Sequence, residues 1–289
     1  MKVAYLACAD VLTTSANRRI DADEHDRELA CLTSAFAARG SLIQEVDWLV
    51  YDPASRAFDL LFVRTTWDYV EHGDEFLRFI ARAEAFTPVA NAPDLIRWNL
   101  SKRYLAELSD KGLPIIPSLF TDRPLAASEA FDRLGAEELV FKPVVGASGL
   151  GQSRLTRAQA QDFAFTPDLF AQPLIPEITT EGEISYIFIA GAFSHAVRKT
   201  PAKGEFRIHI MHGGSEAAHS PAPTEIAVAQ RFIDALPTVP LAARVDMTPH
   251  KGELLLMELE LIEPHLFPHF SQDLGERVAA ACEVLLSAA

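Results

Sequence analysis

The chain has 289 residues, 49% of them hydrophobic, and a formal net charge of −14. That apolar content supports a sizeable core shared by two or three subdomains. The acidity argues against general binding to nucleic acid or anionic membranes, which needs a basic face, so an anionic ligand would have to be met by local cations.

Cys8, Cys31 and Cys282 lie far apart in apolar contexts and make neither a disulfide framework nor a zinc pattern, which fits a reducing compartment. The opening apolar run is of strand length, too short for a signal segment, and no run approaches the ~20 apolar residues of a membrane span. The expectation is a soluble cytoplasmic protein.

In chain order, residues 3–8 read as a strand, 26–39 as a helix closed by Gly40, and 42–46 and 58–63 as further strands. The last delivers Arg64, Trp67, Asp68 and Tyr69 into a loop. A helix over 74–85 follows. Alternation of this kind indicates a small parallel α/β domain, whose ligands sit beyond the carboxyl ends of its strands. On that ground Arg64, Trp67, Asp68 and Tyr69 are candidate substrate contacts, against the plainer reading that Arg64 pairs with Asp68 and the rings cap the core.

A second region begins near Asn91, with an amphipathic helix over 99–110 carrying Lys102, an edge strand at 115–117 and a helix over 127–134. Its centre is the stretch from Val140 to Arg154. Lys142 lies on an apolar strand, followed by a loop with Gly146, Ser148, Gly149 and Gly151. The strand fixes the ammonium, and the glycines let backbone N–H groups approach an anion. The spacing is not that of a P-loop, a dinucleotide fingerprint or a nucleophile elbow. A polar helix around 156–162 and a strand ending in Gln172, Pro173, Leu174 and Ile175 complete the region.

The remainder reads as antiparallel: strands at 183–190, 193–199 and 206–211, a turn at 213–214, a helix over 224–235, strands at 241–247 and 253–262, and a final helix over 272–286. Strand alternation places Glu258 and Glu260 on one face, with Met257, Leu259 and Leu261 on the other. Arg244 and Asp246 share a face of the neighbouring strand. Two carboxylates on so apolar a strand need a cation, and Asp246, Glu258 and Glu260 suit oxygen-seeking Mg²⁺; pairing with Arg244 is the purely structural alternative. His209 with His212 and His265 with His269 lack the partners that would complete a zinc site.

Together these pieces resemble the ATP-grasp superfamily, in particular its glutathione-synthetase-like and ribosomal-modification-ligase-like members and its cycloserine-type cyclo-ligases, where stretches such as VRTTWDY and ELELIEP occur. The resemblance implies an α/β and α+β chain with a preATP-grasp domain over 1–96, a central ATP-grasp subdomain over 97–172 and a C-terminal one over 173–289. It implies ATP and Mg²⁺, with Lys102, Lys142 and the Gly146, Ser148, Gly149 and Gly151 loop on the phosphates, and Gln172, Pro173, Leu174 and Ile175 as the adenine hinge. Glu177 or Glu183 would take the ribose, and Arg207, with Lys142, would steady the transferring phosphate. Asp246, Glu258 and Glu260 match the metal positions, although Glu260 stands where many members have asparagine. Ser185 stands where several relatives have a substrate-binding arginine, which leaves Arg198 or Lys199 for a substrate carboxylate. The implied activity is ligation of a small amino acid-like carboxylate to an amine-type nucleophile, within one molecule or between two, in a family where homodimers are common. A kinase-like enzyme or a nucleotide-binding module without turnover are the alternatives.

Overall fold

The computed structural model describes residues 1–147, 149–202, 204–205 and 213–288. Its first layer is a parallel sheet of β1 (Lys2–Ala7), β2 (Leu42–Asp47), β3 (Leu60–Thr65) and β4 (Val89–Ala90), in the order β2-β1-β3-β4. β1 and β3 are buried along almost their whole length, so their sequences are continuous apolar runs rather than alternating ones. Helix α1 (Ala22–Ala38) covers one face with Leu32 and Phe36, and α2 (Gly73–Ala83) covers the other with Phe76 and Ile80. α1 starts four residues before the expected position.

The amphipathic stretch around Lys102 forms two short helices, α3 (Pro93–Asn99) and α4 (Tyr104–Asp110), rather than one. Asn91 and Asn99 stitch this stretch to the far end of the chain. Asn91 Nδ2 donates to the carbonyls of Ala242 and Leu261, both at 2.7 Å, and Asn99 Nδ2 donates to Leu259 at 2.7 Å. Tyr104 Oη accepts the Leu259 N–H at 2.9 Å. Buried backbone groups at this seam are thereby satisfied by side chains.

The second sheet contains β5 (Leu119–Phe120), β7 (Glu138–Pro143), β8 (Ser153–Thr156) and β10 (Leu169–Pro173), in the order β5-β10-β7-β8. A two-stranded ribbon of β6 (Leu125–Ala126) and β9 (Ala164–Phe165), with helix α5 (Ala127–Leu134), packs on it around Phe131, Phe141 and Phe165. The expected polar helix around 156–162 is instead the end of β8 followed by turns. It has no apolar stripe to bury, so nothing anchors a helix there.

The third sheet is antiparallel, in the order β13-β12-β11-β14-β15, with β11 (Glu183–Ile189), β12 (Ala192–Thr200), β13 (Ser215–His219), β14 (Ala242–His250) and β15 (Glu253–Glu260). Helix α6 (Pro223–Asp234) backs it, and α7 (Leu274–Ala288) returns to pack beside α1. β13 was not foreseen: its exposed, Ala-rich sequence carries no strand pattern. The strand expected at 206–211 lies outside the described residues. The expected domain limits after residues 96 and 172 fall inside α3 and inside β10.

Candidate active site

A cleft of about 540 Å³ opens between the second and third sheets, with one end walled by residues around the first sheet. From the second sheet, Lys142 at the end of β7 and Gln172 on β10 face it. Lys142 Nζ donates to Gln172 Oε1 at 2.8 Å, and Gln172 Nε2 donates to Ser118 Oγ at 2.8 Å. Burial pushes the Lys142 pKa down, with the neighbouring acids opposing it. Pro173, Leu174 and Ile175 continue along the same wall, as do Gly146, Gly149 and Gly151 of the loop. Gly149 and Gly151 have φ of 68° and 70°, the left-handed region in which glycine carries no Cβ penalty. Ser148 lies outside the described residues.

The opposite wall is the acidic strand pair. Asp246 stands opposite Glu258 and Arg244 opposite Glu260 in the ladder. Arg244 grips Asp246 through Nε at 3.0 Å and Nη2 at 2.9 Å, and also holds Glu260. Ser185 Oγ donates to Asp246 at 2.6 Å, and Lys199 Nζ lies 3.5 Å from it while pairing with Glu183. Burial works against the Asp246 charge, but Arg244 and Lys199 outweigh it and hold its pKa at about 2. Glu260 goes the other way: burial, with Glu258 and Asp246 nearby, raises it to about 7 despite Arg244. Lys102, at the break between α3 and α4, pairs with Glu258, which overcomes the cost of burial and raises the lysine pKa. Among the described residues, no three His, Cys, Asp or Glu side chains are grouped to hold a metal ion. Each of the three carboxylates expected to do so is engaged by Arg244, Lys199 or Lys102.

One expectation about this wall is corrected. The register shifts between Asp246 and Met247, so Met247 pairs with Leu256 and Met257 is an extra residue. This β-bulge turns Met257 into the cleft beside Glu258, packed with Ile116, Ile175 and Ile178, while Leu259 and Leu261 keep to the core.

Several expected substrate contacts lie elsewhere. Arg64 is 1% exposed and bound to Glu28, so it does not line the cleft. Asp68 accepts the Trp48 Nε1–H at 2.6 Å, and Tyr69 is packed in the core; of these four expected contacts Trp67 lines the cleft, together with Val70 and Glu71 just after them. Arg198 donates to the Glu181 carbonyl on the face away from the cleft, while Lys199 lines it. Of the two ribose candidates, Glu183 lines the cleft, whereas Glu177 binds His250 at 3.0 Å. Arg207, with His209 and His212, lies outside the described residues. The sequence reading did not single out Arg19, Glu24 and Glu263 at the far end of the cleft. Glu263 belongs to the ELELIEP stretch, but only the turn after β15 brings it into view.

The family described as D-cycloserine synthetase DcsG, N-terminal domain, matches residues 3–91. Over nearly the whole chain, the sequence is similar to the cycloserine biosynthesis protein DcsG of Streptomyces lavendulae: 29% identical over 279 residues, covering 89% of this chain and 93% of that protein. The crystal structure of D-cycloserine synthetase DcsG superposes with a TM-score of 0.80 at 25% identity, covering 99% of this chain and 100% of that one. The fold is also that of the ATP-grasp ligase PsnB, solved with a phosphomimetic variant of a minimal precursor, Mg and ADP, at a TM-score of 0.64 and 16% identity over 99% of this chain and 98% of that one. The fold is that of the ATP-grasp ligases. Within that class the chain is similar in sequence and in fold to the cycloserine biosynthesis type. No described helix is long and apolar enough to cross a membrane.

Proposed function

We propose that this ligase uses Mg-ATP to activate the carboxylate of a small amino acid-like substrate and lets an amine-type nitrogen of the same molecule displace the phosphate, closing a ring. A carboxylate is a poor electrophile, and transfer of the γ-phosphoryl group to its oxygen releases ADP and leaves an acyl phosphate. The nitrogen then attacks the carbonyl carbon, inorganic phosphate departs with the C–O electron pair, and the nitrogen loses its proton. Phosphoryl transfer of this kind rests on positioning and charge neutralisation.

The observation that carries the reading is that Lys142 and the hinge segment share one cleft with Asp246, Glu258 and Glu260 on the opposite wall. Lys142, Lys102 and Arg207 are assigned to the phosphates, residues 172–175 to adenine, and Glu183 to the ribose. The donor set of the acidic wall is all oxygen and fits Mg²⁺, which keeps waters and phosphate oxygens as its other ligands. Asp246, Glu258 and Glu260 would hold the ion in exchange for their present contacts with Lys102 and Arg244. Bound there, it would neutralise phosphate charge. Likeness to a D-cycloserine synthetase supports the ring closure. Opening the ring amide of that compound gives β-aminooxy-D-alanine, which carries both groups to be joined.

The test is incubation of the protein with Mg-ATP and β-aminooxy-D-alanine. ADP with stoichiometric D-cycloserine supports the reading. ADP with a stable phosphorylated compound would indicate a kinase, and nucleotide binding without ADP a non-catalytic module. Arg207→Ala is expected to lower turnover about 10²–10³-fold, as for loss of one preorganised charge-stabilising group.

A further inference from the structure

The turn that follows β15 forms part of the cleft wall through Glu263, His265 and Phe267. It is held from behind by β3 of the first sheet and by α1. Arg64 Nη2 donates to the Pro264 carbonyl at 2.5 Å, and the Leu266 N–H donates to Glu28 Oε2 at 3.3 Å. Glu28 also accepts from Arg64 Nε at 2.7 Å, from Arg64 Nη2 at 3.0 Å and from the Tyr5 hydroxyl at 2.9 Å. Its carboxylate lies 4.0 Å from His265 Nδ1, and the His265 ring stands edge-on to Phe267 with centroids 4.5 Å apart.

Arg64 and Glu28 are each 1% exposed, and neither lines the cleft. Burying such a pair costs several kcal/mol per ion before their attraction is counted, so an apolar pair would serve the packing of β3 against α1 at least as well. Two contacts go beyond that packing. The Pro264 and Leu266 bonds span 200 and 238 residues of sequence to reach a turn rather than a neighbouring element. Among the described residues Arg64 Nη1 has no hydrogen-bond partner, so the guanidinium is aimed at the turn rather than arranged for its own full satisfaction. A two-point grip on alternate backbone groups fixes the side chains between and beside them, as rigid catalytic geometry requires.

We propose that Arg64 and Glu28 are positioning residues for the ligase: without touching substrate, they hold the 263–267 turn so that Glu263 and His265 face the group being joined at the far end of the cleft. The inference rests on the ligase reading given above.

Glu28→Gln keeps the shape and removes the charge, and Tyr5→Phe removes one donor to Glu28 while leaving the ion pair in place. Hydrogen–deuterium exchange over 263–267 should speed up in Glu28→Gln and, more weakly, in Tyr5→Phe. With β-aminooxy-D-alanine and Mg-ATP, Glu28→Gln should lower kcat/KM for the amino acid by about tenfold to a hundredfold, the scale of a small misplacement. The KM for ATP should stay within about twofold, because Arg64 and Glu28 lie outside the cleft that the hinge lines. Unchanged exchange over 263–267, or equal losses for both substrates, would overturn the inference and leave the pair as ordinary fold cement. Should Glu28→Gln not fold, Tyr5→Phe decides by the same two readings. Absence of ADP from the wild-type protein would count against the ligase reading, and the exchange measurement alone would then judge the positioning.

Discussion

Met257 and Glu258 are sequence neighbours that both face the cleft, because the β14–β15 ladder slips by one residue immediately beside the Asp246–Glu258 pair. The slip gives the acidic wall an apolar patch, in which the Met257 side chain packs with Ile116, Ile175 and Ile178. On the function proposed above, the purine ring of ATP would lie on this surface with its edge on the 172–175 backbone. Met257→Ala should therefore weaken ATP binding about tenfold, or about 1.4 kcal/mol, the scale of a few methylene groups removed from contact. The Mg²⁺ dependence should not change. Titration with a fluorescent ATP analogue at several Mg²⁺ concentrations checks both halves, and unaltered affinity would place adenine elsewhere.

Glu258 makes the opposite prediction. Its carboxylate is about a third open to solvent, so losing the pair with Lys102 costs less than breaking a fully buried pair. Glu258→Gln should melt close to the wild type yet turn over about 10²–10³-fold more slowly, as expected when the ion that would neutralise developing charge loses one of its proposed ligands. Raising Mg²⁺ should recover part of the rate. A variant with full rate at low Mg²⁺ would remove Glu258 from the proposed metal ligands.

How much of this was legible beforehand follows the physics of each element. Lys142 and the paired acids stand on strands whose period of two fixes their direction, and the glycines follow in the loop directly after β7, so the sequence brought them to one wall or the other. Met257 could not be read, because a bulge is a property of the pairing of two strands and not of either alone. Arg64 was misassigned for a related reason: its place at the end of a parallel strand was read correctly, but its partner Glu28 is on α1 and its target is in a turn 200 residues later. Lys199 over Arg198, and Glu183 over Glu177, needed the register of β11 with β12.

Asp246 should matter for folding as well as for the site. It neutralises Arg244 and Lys199, all three of them buried. Replacing one member of a buried charge cluster leaves the others uncompensated, at a cost of about 3–5 kcal/mol. Asp246→Ala should thus lower the urea midpoint with an unchanged m-value, where Glu258→Gln does not. A midpoint equal to the wild type would show that solvent or a counter-ion reaches Arg244.

The crowded acids give the protein without nucleotide a specific pH response. Burial, reinforced by like charges, raises Glu263 to about 8 and Glu260 to about 7, and burial raises Glu24 and Glu183 to about 7. A carboxyl whose folded pKa lies above its unfolded value binds its proton more tightly when folded. Stability is therefore lost as pH climbs from the ordinary carboxyl range near 4.5 to about 8. His265 opposes this at lower pH: burial holds it at about 3, so it favours the folded state increasingly up to its ordinary 6.5 and is flat beyond. The net decline in Tm should then be clearest between pH 6.5 and 8. Glu263→Gln should flatten it, and Mg²⁺ should raise Tm more at pH 8 than at pH 6, because the ion favours the deprotonated acids. Thermal melts across this range, with and without Mg²⁺, test the chain of argument. A wild-type Tm that rises from pH 6.5 to 8 would mean that the far end of the cleft is better solvated than its burial implies.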